Sequence, residues 1–293
     1  MQPHRQRQWC IGRVNGEYLA RLEAVLSLYA RPYDPHRPVV CFDERPCFLL
    51  GEAVDGLAPQ PGQPAKQHYA YTKHGSCCVL AAVEPLTGRR LYQVRGQRTK
   101  REYVQFLQQL ARRYPDAHTI HVVQDNLNTH TVSALYGCLP ATMARTLAAR
   151  FCFVYTPKGG SWLNQIELDF SALSRQCLKR RIPTQAQLAY QVHCWSHARQ
   201  AQQVKIHWQF TIEQARQTLN SQYQKVNKVN QKYANTSSTQ YLEQFYEQCT
   251  PMSTAERASA RVSSDEIAQI EAGFSPLYLA GVYTDCQTAV TVF

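Results

Sequence analysis

The run "TIHVVQDNLNTH", residues 119–130, constrains the fold more than any other part of the sequence. Its first half is short, apolar and β-branched, which is typical of a strand buried inside a sheet, and that strand ends at Asp125. Asn126, Asn128 and His130 follow and are all hydrogen-bonding residues. Two interpretations fit. Either Asp125 is a metal ligand with polar neighbours that orient it, or it begins a turn whose later residues cap the next helix.

Short apolar runs and segments with helical periodicity follow one another along the first 219 residues. The order is three strands, helix, strand, helix, strand, helix, which predicts an α/β fold with a mixed five-stranded sheet flanked by helices. Thr99 and Glu102 stand in capping-box positions at the start of one predicted helix, Pro140 interrupts a second, and Ser161 is the predicted N-cap of a third. The turn "TGR" after Glu84 predicts an antiparallel hairpin of the second and third strands, and residues 51–76, rich in Gly and Pro, are interpreted as a long loop or a hairpin. The predicted strands are 39–44, 77–85, 89–96, 119–125 and 150–157, and the predicted helices are 14–30, 99–115, 131–149, 159–180, 184–200 and 208–219.

Charge is distributed unevenly along the chain. Residues 1–219 contain 27 basic and 14 acidic side chains, whereas residues 220–293 contain 5 and 7. A basic body suggests a polyanionic partner, with nucleic acid the first candidate, although a merely soluble basic protein has the same composition. The eleven cysteines include no CxxC pair, so they are interpreted as buried thiols in a reducing compartment. No apolar run is long enough to span a membrane, and the N-terminus lacks a secretory signal.

Three carboxylates occupy positions where they could meet. Asp43 ends the first predicted strand, Asp125 ends the fourth, and Glu167 lies in the first turns of the helix after the fifth. Ligands of α/β sheets bind at strand ends, and three clustered acids need a cation between them. Mg²⁺ suits oxygen ligands, and two such ions about 3.5–4 Å apart stabilise both oxygens of a phosphoryl displacement. Glu44 competes with Asp43 by strand alternation, and Asp169 competes with Glu167 on the helix.

Several blocks of the chain together resemble the DDE transposases of bacterial insertion sequences, of the IS-six-thirty type within the mariner superfamily. The blocks are "NGEYLARLEAVLSLYARPYDPHRPVVCFDE", "DNLNTH", "YTPKGGSWLNQIELDFSALSRQCLKRRIP" and "WQFTIEQAR", and the resemblance covers residues 8–219. It implies a ribonuclease-H-like fold and a two-metal site of Mg²⁺ or Mn²⁺. The family's catalytic pattern falls on Asp43, Asp125 and Glu167, and the neighbouring Asn126, Asn128, His130 and Glu44 are predicted to support these ligands.

The resemblance also implies a reaction and its partners. Water would cleave a phosphodiester at the element's end, and the freed 3′-hydroxyl would then attack target DNA. A homodimer on double-stranded DNA, in the cytoplasm and associated with the nucleoid, is implied as well. The residues predicted to contact DNA are basic or aromatic: Arg98, Lys100, Arg101, Lys158, Trp162, Lys179, Arg180 and Arg181. The alternatives are that "LKRR" is a solvated helix end and that Trp162 packs under the sheet.

The chain departs from the family pattern at both ends. Members of the family carry helix-turn-helix modules before the catalytic part, and residues 1–37 look like a linker and helix instead. The predicted catalytic domain is 38–219, and residues 220–293, polar and poor in branched apolar residues, are predicted to be a linker and an appended, partly disordered or helical tail. Two other functions therefore stay open: a non-catalytic DNA-binding remnant of a transposase, and a structure-directed nuclease of the same fold.

Overall fold

The computed structural model describes residues 14–230 except positions 59, 65, 67, 128 and 129. Its centre is one five-stranded sheet with the order β3-β2-β1-β4-β5. The first three strands form an antiparallel meander, and β4 and β5 add to it in parallel with β1. The strands are β1 Val39–Glu52, β2 Tyr71–Val83, β3 Arg90–Arg95, β4 Ile120–Gln124 and β5 Phe151–Tyr155.

Helices cover both faces of this sheet, so the predicted fold class, a ribonuclease-H-like mixed five-stranded sheet flanked by helices, is confirmed. One face packs on α2, α3 and α4 through a core that includes Phe42, Leu80, Tyr103 and Phe106. The opposite face contacts α1 and α5. The helices are α1 Gly16–Tyr29, α2 Lys100–Arg113, α3 Val132–Cys138, α4 Ala141–Ala148, α5 Ile166–Gln176, α6 Gln185–Ala201, α7 Ile212–Thr218 and α8 Asn220–Val226.

The central strands of the sheet consist mainly of apolar residues, because helices cover both faces of the sheet. All five residues of β4 are buried, as expected for a strand that lies between two others under helices on each face. Phe42 is fully buried on the face of α2, and strand alternation directs Asp43 to the face of α5. The alternation of β1 therefore delivers one acidic side chain to the surface that α5 covers.

The first two strands are longer than predicted. β1 continues past Glu44 to Glu52, and β2 begins at Tyr71 instead of Cys77. Pro46 is tolerated inside β1 because β4 pairs with this strand only from Val39 to Cys41, so one edge is unpaired at the proline. The segment 51–76, interpreted as a long loop or a hairpin, is thus a hairpin whose ends extend β1 and β2 and whose residues 53–70 connect the two strands.

The helix after β5 begins later than predicted. Ser161 does not cap it; it opens a short 3-10 helix, Ser161–Leu163, and α5 starts at Ile166. By contrast, Thr99 and Glu102 form the predicted capping box of α2. Pro140 separates α3 from α4, as its missing N–H and fixed φ require.

The described residues divide into two units after Ile212. The second unit contains most of α7 and all of α8, with Ala215 and Leu219 buried. The predicted linker and tail, residues 220–293, are described only as far as residue 230, and residues 1–13 of the predicted N-terminal segment also lie outside the described residues. Among the described helices, none combines the length and apolar character needed to cross a bilayer.

Candidate active site

Asp43 and Asp125 are brought side by side by the parallel pairing of β1 with β4. Val39 pairs with His121 and Cys41 with Val123, so the same register places Asp43 level with Asp125 two residues later. Asp43 is half-buried, and one oxygen of its carboxylate accepts a hydrogen bond of 2.7 Å from the Glu44 N–H. Asp125 lies just beyond the end of β4 and is also half-buried.

Glu167 is held next to these residues by the segment that precedes it. The buried side chain of Asn164 donates a hydrogen bond of 2.8 Å to the carbonyl of Phe42, the residue before Asp43. The Tyr29 hydroxyl donates to the carbonyl of Leu163 at 2.9 Å, and the Glu167 N–H donates to the carbonyl of Asn164 at 3.1 Å. Asn164 was not predicted as a site residue, because nothing local distinguishes it from any other polar residue before a helix.

The charges of the three acids act on one another. Burial, the largest cause, and the negative charges of Asp125 and Glu167 together raise the pKa of Asp43 to about 7, against the lowering effects of the Glu44 N–H and of His130. The sequence placed these acids 82 and 42 residues apart along the chain, and the fold brings them into one electrostatic environment. We call Asp43, Asp125 and Glu167 the acidic site.

The acidic site offers the donor chemistry of a hard divalent cation, namely several carboxylate oxygens with unrelieved repulsion. Its members are not drawn together around one point: no three His, Cys, Asp or Glu side chains in the described residues are close enough to hold an ion jointly. Asp125 is instead turned towards His130, with 2.6 Å between its Oδ1 and the ring Nδ1. The residues fit a divalent cation by chemistry and charge, with Asp125 as the member whose orientation would have to change.

His130 links Asp125 to Glu44. Its Nε2 lies 3.2 Å from Oε1 of Glu44, and both side chains are almost completely buried. Burial alone lowers the pKa of His130, but hydrogen bonds to Asp125 and Glu44 and the charges of both carboxylates outweigh it and raise that pKa to about 9. His130 is therefore an imidazolium at neutral pH, enclosed by two acids.

The position of His130 is also fixed by its surroundings. Its ring contacts those of Phe42 and Tyr103, with centroids 5.2 and 4.8 Å away. Its carbonyl accepts hydrogen bonds from the side chains of Gln124 and Tyr155. Of the other predicted supporting residues, Asn126 is exposed, and Asn128 lies outside the described residues.

Asp169, the competitor of Glu167, has a different environment. It is 1 % exposed and accepts hydrogen bonds from the Arg90 guanidinium at 2.9 and 3.0 Å, from the Tyr92 hydroxyl at 2.7 Å and from Arg199 at 3.2 Å. These contacts join α5 to β3 and α6. Asp169 is thus a neutralised structural carboxylate, whereas Glu167 is exposed.

Most of the predicted DNA-contacting residues are exposed. Lys100 and Arg101 begin α2, and Arg98, just before them, is half-exposed with its Nε 3.3 Å from Oε2 of Glu44. The remaining lysines and arginines of this set that are exposed are Lys158, Lys179 and Arg180. Trp162 is 40 % exposed and meets the ring of Phe210 edge-on, so it is partly packed and partly accessible.

Arg181 has a structural environment. Its guanidinium donates to the carbonyls of His68, Tyr69 and Ala70 and forms an ion pair with Glu52. It also lies over the ring of Tyr71 at 5.7 Å. These contacts fasten the segment before β2 to the end of β1, so few of its donors remain for a phosphate.

Residues 38–189 match the family model described as DDE superfamily endonuclease. The match includes all three acids and more than half of the chain. The protein belongs to the DDE superfamily endonucleases. No curated protein sequence matches this DDE endonuclease.

Among solved structures, this DDE endonuclease is similar to the Mos1 mariner paired-end complex with Mn, at 20 % identity and a TM-score of 0.45 over 65 % of this chain and 58 % of that one. It is also similar to the Mos1 strand transfer complex, at 19 % identity and a TM-score of 0.46 over 65 % and 57 %. A third is the Mos1 paired-end complex with Mg, at 17 % identity and 0.40 over 75 % and 64 %. The chain thus spans less than two thirds of each of these Mos1 chains.

Proposed function

We propose that this DDE endonuclease is the catalytic domain of a transposase, which hydrolyses a DNA phosphodiester at an element's end and then transfers the 3′-hydroxyl into target DNA. The observation that carries the proposal is the charge environment of Asp43, whose pKa is raised to about 7 by burial and by the charges of Asp125 and Glu167. Acids left in mutual repulsion at the end of a sheet are typical of a cation site at which phosphates react.

Asp43, Asp125 and Glu167 would hold the cations, which we infer to be two Mg²⁺ or Mn²⁺ ions. Two such ions stabilise the attacking and the leaving oxygens of a phosphoryl displacement. Asp43 must lose its proton to bind a cation. Because its pKa is about 7, a cation can displace that proton near neutral pH. Asn164 and Tyr29 hold the start of α5 against β1, which fixes where the Glu167 carboxylate can reach.

His130 and Glu44 would act as positioning residues, since His130 contacts Asp125 directly and Glu44 contacts the far side of the ring. Asn126 and Asn128 are proposed to bind water or phosphate beside them. Oriented supporting contacts of this type raise ligand affinity by about 10–100-fold. The buried imidazolium would limit the rotation of the Asp125 carboxylate.

DNA would be held at the same end of the sheet by exposed cations: Arg98, Lys100, Arg101, Lys158, Lys179 and Arg180. Arg181 was predicted with them, but its internal contacts favour a structural role over a phosphate contact. The exposed part of Trp162 is available for stacking on a base. We further propose that the catalytic domain is residues 38–219 and that it belongs to the IS-six-thirty branch of the mariner superfamily. It would act as a homodimer across two DNA ends, in the cytoplasm at the bacterial nucleoid.

A nicking assay on supercoiled plasmid tests the catalytic proposal. Mg²⁺ or Mn²⁺ should support nicking by the full chain, chelation should abolish it, and Asp125→Asn should lower the rate by about 10³-fold or more, because a ligand of the reacting phosphate's cations is lost. Asp55→Asn, a change at an exposed aspartate outside the acidic site, is the matched control.

Strand joining separates the candidate activities. Donor DNA with a recessed 3′-hydroxyl end, mixed with plasmid, should be covalently joined by a transposase and only cut by a structure-directed nuclease. Retained DNA binding without nicking, in both the native chain and the Asp125 variant, would instead identify a non-catalytic remnant.

A further inference from the structure

A second group of basic residues lies at the end of the sheet away from the acidic site. The helix α2 connects the two ends: Lys100 and Arg101 begin it near Glu44 and the site, and Arg112 and Arg113 end it. Its 14 residues span about 20 Å. The far end is also where β1, β4 and β5 begin and where the turn between β2 and β3 lies.

The side chains at this end surround Tyr114. The Arg89 guanidinium lies 5.9 Å from the centroid of the Tyr114 ring, and Arg150 donates a hydrogen bond to the Tyr114 carbonyl. Arg113 lines a small hollow together with Arg89 and Tyr114. Arg37, just before β1, is near enough to the start of β4 to lower the pKa of His121. We call Arg37, Arg89, Arg112, Arg113 and Arg150 the basic pole.

The five arginines of the basic pole outnumber the three acids near them, Asp34, Glu84 and Asp116. Arg37, Arg89, Arg112 and Arg113 are exposed, and none of these four forms an ion pair with a carboxylate of the described residues. Asp34 and Asp116 form no ion pair with them in the described residues, and Arg89 is close enough to Glu84, buried under the turn, to oppose the rise that burial causes in the pKa of that carboxyl. Arginines in the last turn of a helix are favoured by its dipole, which accounts for Arg112 and Arg113 but not for Arg37 and Arg89.

We propose that the basic pole is a second binding surface for double-stranded DNA, separate from the DNA surface at the acidic site. The partner is identified by chemistry: several exposed guanidinium groups that form no ion pair with a carboxylate of the described residues suit a regular row of phosphates. With both surfaces occupied, one chain holds two duplexes at opposite ends of α2. The proposal does not depend on catalysis, because none of the acids takes part in it.

The test compares three full-length variants in binding to a labelled duplex of unrelated sequence. Arg37→Gln, Arg112→Gln and Arg113→Gln are combined in the pole variant. The same three positions changed to Lys keep the charge. The control variant removes equal charge elsewhere, with Lys66→Gln, Lys73→Gln and Arg175→Gln, all at exposed positions. Thermal unfolding checks that each variant is folded.

The pole variant should bind at least about tenfold more weakly at moderate salt, and the slope of log K against log salt should become shallower by about 2–3, one increment of roughly 0.9 per lost phosphate contact. The Lys variant should bind nearly as the native chain does. Equal losses in the pole and control variants, or a pole variant with native affinity and salt slope, overturn the proposal.

A bridging assay tests the two-surface geometry. Duplex fixed to beads, at protein concentrations where size-exclusion chromatography shows a monomer, should retain a second, free duplex through the native chain and through Asp125→Asn, but not through the pole variant. A competitor separates partner classes: if polyglutamate binds the basic pole and duplex DNA does not, the surface belongs to an acidic protein and the DNA assignment is wrong. Nicking is measured in parallel, so failure of the catalytic proposal leaves this result readable.

Discussion

Glu167 and Asp169 lie two residues apart on α5 and have opposite environments. Asp169 is buried and saturated with donors from Arg90, Tyr92 and Arg199. Glu167 is exposed, and its charge raises the pKa of Asp43. The helical rotation of about 200° between the two positions sends one carboxylate towards β3 and α6 and the other towards the acidic site.

The comparison shows how one helix gives two carboxylates different environments, one paired within the protein and one exposed. A buried structural acid needs its opposite charge and its hydrogen bonds within the protein, because an unpaired buried charge is costly. A ligand of a cation must keep its oxygens available and therefore stays in repulsion with its neighbours until the cation binds. The number of internal donors around each carboxylate, and not its burial alone, distinguishes the two roles.

The largest expected effect is on stability, at the structural acid. Asp169→Asn should lower the free energy of unfolding by about 3–5 kcal/mol, because the Arg90 guanidinium, which is completely buried, would lose its counter-charge. Urea unfolding monitored by circular dichroism measures the change. Glu17→Gln, which breaks an exposed ion pair with Arg21, is the control and should cost less than about 1 kcal/mol. A loss of similar size in both variants would remove the distinction.

The next largest effect is expected at His121, a buried side chain that is uncharged at neutral pH and therefore needs no counter-charge. Burial and the charges of Arg31 and Arg37, against Asp34, lower the pKa of His121 from 6.5 to about 4. The folded state therefore binds this proton less readily than the unfolded state, and stability is complete above pH 6.5 and falls as the pH drops towards 4.

The expected loss over that pH window is about 2–3 kcal/mol. Unfolding free energies of the native chain and of His121→Val, measured at pH 7 and pH 4.5, give the pH dependence by difference. The unfolding free energy of the native chain minus that of His121→Val should be lower at pH 4.5 than at pH 7. Parallel curves would mean that His121 does not titrate in this window.

The third prediction concerns the buried cation beside the acidic site. His130→Gln should weaken Mn²⁺ binding by about 10–100-fold, since the carboxylate of Asp125 loses the imidazolium that orients it. Electron paramagnetic resonance of free Mn²⁺ reports binding without any need for activity. His118→Gln, at an exposed position, is the control. Unchanged Mn²⁺ affinity in the His130 variant would mean that Asp125 is oriented by other contacts.

The smallest effect on stability is expected at Glu167, the proposed cation ligand on α5. Glu167→Gln should change the free energy of unfolding by less than about 0.5 kcal/mol, because the side chain is exposed. The same change should lower the pKa of Asp43 from about 7, since one of the charges that raise it is removed. Carboxyl ¹³C chemical shifts of Asp43 across a pH titration would measure this, and an unaltered midpoint would place Glu167 too far away to share a cation.

The sequence was sufficient for the elements that local rules determine. The capping box of Thr99 and Glu102 predicted the start of α2, and the turn after Glu84 predicted the β2–β3 hairpin. The extension of β1 through Pro46 was missed, because a proline inside a strand counts against it unless the unpaired edge is known. Ser161 was misassigned as a cap because the start of α5 is set by contacts of Asn164 with β1.

The sequence predicted that three acids would lie near one another, but it did not predict how they are arranged. Asp43, Asp125 and Glu167 stood out as acids at the ends of predicted elements, and the resemblance to DDE transposases singled them out. The choice of Glu167 over Asp169 could not be made from spacing alone, because it depends on Arg90, 79 residues earlier in the chain. The link from His130 to Glu44 likewise depends on the strand register, which periodicity does not give.

The hydrogen bond from Asn164 to the Phe42 carbonyl joins residues 122 positions apart. During synthesis, Asp43 and Asp125 would emerge from the ribosome well before the segment that brings the third acid. A partly made chain would then contain two of the acids without the hydrogen bond that positions Glu167. Under the proposed function, such a chain could not cleave DNA, so cleavage would begin only after the fold is complete.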